Sequence, residues 1–363
     1  MGVTPRDRAV GALVGLALGD ALGMPTQNLP RDVVRDRYGE VLADLHPGPD
    51  DNPISRGLPA GRVTDDTDQA VILGELFVAG RGQVDPLAFA DRLLRWEERM
   101  RASGSADLLG PSTRRALTLI GEGVSPDETG RWGDTNGAAM RIAPIGVGVP
   151  VEPLSRLVDA VEQAGRVTHH TGVAIAGAAA VAAAVSAGID GHPLTESLRR
   201  AIDAARLGAD RGSYVAGADV AARIAWALEL VAGRSPADAL EVVHRLVGTG
   251  LATQEAVPAA LAVAALFPDD LWDACRHAAS LGGDCDTVAA MTGAVVGAHT
   301  GAGGVPVLDQ LSAANPELEL SALADRLLAV RGAADRPAER TDWPRETDRP
   351  SDSAGLADRS SGY

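Results

Sequence analysis

Residues 173–189 read VAIAGAAAVAAAVSAGI, an uncharged run made mostly of Ala and Gly, with His169 and His170 just before it. A helix crossing a bilayer needs about 20 predominantly apolar residues. This stretch falls short, and small side chains suit close contact between helices. It therefore reads as the buried central helix of a helical domain rather than as a membrane span. Composition agrees: hydrophobic residues make up 45% of the 363 positions but aromatics only 3%, so the core must be Ala, Val and Leu. Long Ala-rich runs also favour helix intrinsically.

Outward from that helix the same pattern continues in both directions. Apolar residues recur at helical spacing over 6–22, 67–79, 86–100, 153–165, 172–187 and 194–205. They do so again over 215–231, 236–247, 255–266, 271–280, 287–300 and 318–330. Asp85-Pro86, Ser235-Pro236 and Pro268-Asp269 each put a capping residue or Pro at a helix entrance. No alternating strand and no fixed-period repeat is visible, which predicts one compact all-α domain over 1–331 and excludes a solenoid. Gly and Pro punctuate 47–61, which reads as a long active-site loop. Residues 332–363 are rich in Asp, Arg, Ser, Pro and Thr, and are expected to be a disordered, dispensable tail.

Charge narrows the function classes. The formal net charge is -16, from 33 Lys+Arg against 49 Asp+Glu, which argues against binding a nucleic-acid backbone. Acids gathered in a pocket would instead attract divalent cations. The two cysteines, Cys275 and Cys285, supply no disulfide framework, and a cytoplasmic protein is the natural expectation. The apolar stretch from Val10 to Leu18 stops at Asp20, too short to span a bilayer.

Two acidic clusters carry the chemistry. TDDTD, at 64–68, stands where the long loop ends and an apolar helix begins. Adjacent carboxylates at a helix start have a structural reading as N-cap and first-turn acids. That reading does not explain the second cluster, GGDCDT at 282–287, which opens another apolar helix. Its two glycines let the backbone approach something closely, and Asp284 and Asp286 are expected to converge on one point beside the Thr287 hydroxyl. Hard divalent cations take oxygen ligands, and four Asp and two Thr from two helix starts supply them. No His-Cys grouping suits zinc. A bridging carboxylate would hold two ions about 3.5–4 Å apart, the spacing of hydrolytic two-metal sites.

With these motifs in view the chain resembles the ADP-ribosylglycohydrolase family, which includes the enzyme that removes ADP-ribose from dinitrogenase reductase. The marks occur in family order: GALVGLALGDALG at 11–23, TDDT at 64–67, TNGAAMR at 135–141, Thr168-His169, and GGDCDT at 282–287. The resemblance runs from Arg6 to Val330. It implies a single orthogonal helical bundle around a central binuclear Mg²⁺ or Mn²⁺ site. Thr64, Asp65, Asp66, Asp284, Asp286 and Thr287 are the implied metal ligands. Asn136, Gly137 and Met140 resemble the loop that lines the ribose and phosphate pocket, where a helix start would also suit a phosphate. His169 matches a position near the ligand, and Gly282 and Gly283 join Gln27 as expected substrate contacts. Asp20 matches a family position, and a structural hydrogen-bonding role is expected of it.

The departures from the family pattern concern the groups beside the metals. Many members carry a Glu where this chain has Gln27, and an amide cannot act as a carboxylate base. The dinitrogenase-reductase type has an Asp just before the Gly matching Gly110; here Leu108 and Leu109 precede it, with Asp107 out of place. Cys285 stands where Thr is usual, and its side chain is expected to point away from the metals. A bacterial subgroup is similar in its MPT (24–26) and LGP (109–111) segments, which suggests a different substrate.

The expected activity is metal-dependent hydrolysis of the ribosyl glycosidic bond in ADP-ribosylated protein or an ADP-ribose-like small molecule. Two metals would orient the ribose hydroxyls and lower the pKa of the attacking water, so Asp65, Asp66 or Asp284 could accept its proton. One alternative keeps the reaction but takes a small nucleoside, nucleotide or modified nicotinamide riboside. The other is a catalytically silent ADP-ribose binder.

Overall fold

The computed structural model describes residues 2–102 and 109–334. Among them there are eighteen α-helices, one π-helical turn at Val243–Val247 and no strand beyond two isolated bridges. The helix Gly172–Ile189 lies at the centre of one continuous core. It packs against Leu194–Ala209, Leu154–Gly165, Ala143–Gly148 and Cys285–Thr300. By length and composition it could cross a membrane, yet 89% of it is buried inside the fold.

What positions the site is a second contact, between Pro5–Gly23 and Cys285–Thr300. Gly11, Gly15, Gly19 and Gly23 recur every fourth residue and so share one face of the first helix. A Cβ on Gly15 would overlap the Gly293 carbonyl oxygen, and one on Gly293 would overlap the Gly15 oxygen. Only glycine permits this backbone-on-backbone packing. The contact ends at Gly23, where a Cβ would overlap the Cα of Asp286. Close packing thus brings the end of one helix, with Asp20, against the acidic start of the other.

The periodic segments are helical, with differences at their edges. Pro86–Ala102 begins at the expected Pro, and Asp85 Oδ1 caps it by accepting from the Leu87 and Ala88 amides. Pro268-Asp269 does not open a helix; Asp270 does, capping Leu271–Ala279. The helix expected from 215 starts at Val220, because Asp219 is the side chain that accepts from Ala222. Val243–Val247 continues Pro236–Val242 as a π turn. Arg31–Tyr38, Pro111–Gly121, Pro126–Thr129, Ala143–Gly148 and Leu308–Ala314 were not anticipated. The boundary expected at 332 lies inside the last helix, Leu320–Ala334. Asp107, Leu108 and residues 335–363 lie outside the described residues.

Candidate active site

Both acidic clusters open helices, as their sequences predict. Thr64 stands at the N-cap position of Asp65–Ala79 and Asp284 at that of Cys285–Thr300, neither with a capping side-chain hydrogen bond. Asp65, Asp66, Asp284, Asp286 and Thr287 line one cavity of about 330 Å³. All four carboxyls are buried. Burial is the largest cause raising each pKa, and for Asp65, Asp66 and Asp286 repulsion from neighbouring carboxylates adds to it. Asp66 is raised further by Asp286, Asp286 by Asp284, and Asp65 by Asp20 and then Asp284. Asp284 is pushed up to about 6, with hydrogen bonds from Asn136 and Thr287 opposing burial.

Side chains behind the cavity hold these acids in place. Asp20, fully buried, accepts from the Thr64 amide at 2.9 Å and hydroxyl at 2.8 Å, and from the Thr67 amide at 3.1 Å and hydroxyl at 2.5 Å. This is the structural role expected of it. Asn136 Nδ2 donates to Asp284 Oδ2 at 2.5 Å, and Gln69 Nε2 donates to Asp65 Oδ2 at 2.9 Å. Gln69 was missed, although its spacing of four from Asp65 puts both on one helix face.

Several expected site residues take other positions. Thr64 does not line the cavity; its hydroxyl turns to Asp20, with Asp66 Oδ2 3.3 Å away. Gly282 and Gly283 do not line it either. Both have positive φ, at 74° and 75°, and a Cβ would meet the Leu29 oxygen at 2.8 Å from the first and the Thr249 oxygen at 2.5 Å from the second. Their glycine character serves close backbone packing at these two positions. Asp284 and Asp286 both face the one cavity. Among the described residues, no three His, Cys, Asp or Glu side chains close up as a ready-made metal cage.

The other expected positions do line the cavity. Gln27, Asn136, Gly137, Met140 and His169 are all in its wall. Asn136 donates its amide to Asp284, and Gly137–Met140 is a single helical turn. Gly137 is instead needed for His169, whose Cε1 would lie 2.8 Å from a Cβ there. The long loop contributes Pro53 and Ile54. Cys285 turns away, its Sγ 3.2 Å from Thr26 Oγ1. Thr135, the first residue of TNGAAMR, also lines the wall, as do Thr113 and Leu251, which carried no signal of their own in the sequence.

The donor set suits a hard divalent cation. Asp66 Oδ1 and Asp286 Oδ1 are buried with no hydrogen-bond partner. A buried carboxylate oxygen left without a donor is costly unless a cation completes it.

An all-helical fold with a cavity walled by helix-borne acids defines the structural class. The ADP-ribosylglycohydrolase pattern matches residues 1–337, and the chain belongs to that family. It is accordingly a hydrolase of the glycosidase type. It is 34% identical to the uncharacterized protein YegU of Escherichia coli (strain K12), over 90% of this chain and 97% of that one. It is 29% identical to the ADP-ribosylarginine hydrolase Tri1 of Pseudomonas putida (strain GB-1), over 83% and 72% of the two chains. A solved structure described as an ADP-ribosylglycohydrolase-related protein complex superposes with a TM-score of 0.66 at 29% identity, covering 90% of this chain and 98% of that one.

Proposed function

We propose that the protein hydrolyses the ribosyl glycosidic bond of an ADP-ribosylated protein or an ADP-ribose-like small molecule, using two Mg²⁺ or Mn²⁺ ions. One observation carries this reading: four buried carboxylates from two helix starts wall one cavity, and two of their oxygens have no partner. Asp65, Asp66, Asp284, Asp286 and Thr287 would hold the ions, with Thr64 behind them. The ions would supply Lewis-acid polarisation and a lowered pKa for the attacking water.

The chain's own residues account for the remaining requirements. Cleavage develops positive charge at the anomeric carbon, as in other glycosidases, and the carboxylates provide the opposing field. Asp65, Asp66 or Asp284 accepts the proton of the attacking water, since Gln27 in the wall has no basic oxygen to offer. Asn136 keeps Asp284 oriented for that task. Leu109, Met140 and Leu251 limit water around the bond.

The second reading, a small nucleoside or modified nicotinamide riboside as substrate, is favoured by Gln27 and by cavity size. At about 330 Å³ the space is near the lower end of ligand pockets, roughly 300–1,000 Å³. Release assays on ADP-ribosyl-arginine, ADP-ribosyl-serine and simple nucleosides, with and without Mn²⁺, separate the two. Metal-dependent release of ADP-ribose is expected. Turnover of nucleosides alone would favour the second reading, and binding without turnover across the panel would leave only an ADP-ribose binder.

A further inference from the structure

Arg141 is a buried cation among neutral groups. It is 1% exposed. Its Nη1 donates to Gln69 Oε1 at 3.0 Å, its Nη2 donates to Thr168 Oγ1 at 2.5 Å, and its Cζ lies 5.0 Å from the centroid of Phe89. Burial lowers its pKa to about 9, with the charge of Asp65 opposing. A guanidinium placed this way is expensive unless its charge and donors are used.

Both neutral partners pass its polarity on. A guanidinium only donates, so Gln69 must turn its oxygen to Arg141 and its NH₂ to Asp65 Oδ2, 2.9 Å away. Thr168, accepting from Arg141, has its single hydrogen left for His169 Nδ1 at 2.8 Å. The neutral ring then carries its proton on Nε2, which faces Thr135 Oγ1 at 3.0 Å. Thr135 in turn donates to Ser112 Oγ at 2.9 Å. One donor-only group thus orders a chain of hydrogen bonds running to two parts of the cavity wall, Asp65 on one side and His169 with Thr135 on the other.

We propose that Arg141 is a positioning residue for the reaction: from behind the cavity it fixes the Asp65 carboxylate through Gln69 and the Nε2–H tautomer of His169 through Thr168. Its purpose rests on the hydrolysis proposed above. His169 then offers the wall an N–H rather than a lone pair, so it orients Thr135 or a substrate oxygen and does not act as a base. The absent Cβ at Gly137 leaves room for the ring in this one place.

The test reads the two arms separately in the full chain. NMR of ¹⁵N-histidine-labelled protein reports the His169 tautomer, and Mn²⁺ titration reports the Asp65 arm. Thr168→Val should shift His169 away from the Nε2–H form while leaving Mn²⁺ affinity within about twofold. Gln69→Leu should weaken Mn²⁺ about 10-fold, the scale of outer-shell losses, and leave the tautomer alone. Arg141→Met should do both, and Arg141→Lys, which keeps the charge but one contact at best, should fall between. If Arg141→Met does not fold, the two single-arm variants carry the test. An Nδ1–H ring in the unmodified protein would overturn the proposal, as would single-arm variants that move both readouts together or neither. Inactivity on the substrate panel would remove the functional reading instead, because the tautomer is read without substrate or metal.

Discussion

The two acidic helix starts have nearly the same composition and are held in place by opposite means. At Thr64–Asp66 the holding is polar: Asp20 gathers two amides and two hydroxyls, and the first motif spends both its threonines on that carboxylate. At Asp284–Thr287 the holding is largely steric. Gly23 lies against the Asp286 backbone, Gly283 against Thr249, and the Asp284 amide donates to the Thr249 carbonyl at 2.7 Å. One start should therefore be sensitive to a changed donor or acceptor, the other to a single added methyl group.

The largest effect removes what the two starts share. Asp66→Ala and Asp286→Ala should each abolish Mn²⁺ binding in calorimetry. Turnover should fall by more than about 100-fold, since even outer-shell losses reach that scale. Full activity in either variant would sink the two-metal reading. Breaking the steric start comes next. Gly23→Ala would normally add about 0.5–1 kcal/mol of helix stability, but here the Cβ overlaps Asp286. Overpacking of about 1–3 kcal/mol wins, and denaturant unfolding should show a net loss together with weakened Mn²⁺ binding. Asp20→Asn breaks the polar start. It turns one acceptor into a donor facing four donors, at about 1–3 kcal/mol for the groups left unpaired. If Gly23→Ala proves neutral, the steric half of the contrast is wrong.

Proton linkage sharpens the same comparison. Asp20, which holds the first start, and Asp284, which belongs to the second, are both pushed up from 3.8 to about 6 by burial. A carboxyl raised on folding binds its proton more tightly in the native state. The increment it gives the metal-free fold is complete below about 4 and is lost as pH rises through about 6. Cations need the deprotonated form, so the gain in Tm on adding Mn²⁺ should be larger at pH 7.5 than at pH 5. Equal gains at both values would mean that the ions do not compete with these protons.

The long helices and both acid clusters were legible because each leaves a local trace: a 3.6-residue period, or carboxylates at the mouth of an apolar run. Asp20 was legible as a hydrogen-bonding residue, though not the four donors it gathers. Ala143–Gly148 left no such trace, being six residues with Pro and two glycines that are helical only inside the surrounding core. Pro111–Gly121 could have been read from Pro111 at its first turn. The Arg141 chain is built on bonds between residues 23 to 72 positions apart, so no window of sequence contains it. The glycines of GGDCDT were legible as places of close backbone approach, but not what they approach, because positive φ and tight backbone packing look, in sequence, the same as room left for a ligand.

Cys285 should give the smallest effect, and it tests the contrast at its centre. It lies between two cavity-lining acids, where a thiol would be a soft ligand among hard ones. The Thr26 hydroxyl has carbonyl acceptors at Ala279, 2.8 Å away, and Gly23, 3.0 Å away. Its one hydrogen goes to a carbonyl, so the thiol is the donor in the contact with Thr26. Burial raises the thiol pKa, and the proximity of Asp286 raises it further. The sulfur therefore stays protonated and out of reach, a packing group that braces the helix start from behind. Cys285→Ser keeps a donor of similar shape. It should change stability by less than about 1 kcal/mol, within the range of conservative core swaps, and leave Mn²⁺ affinity and activity unaltered. The unmodified protein should also keep its activity after iodoacetamide at pH 8. Loss of Mn²⁺ binding in the variant, or of activity after alkylation, would put the thiol among the ligands and end the picture of a purely oxygen-lined site.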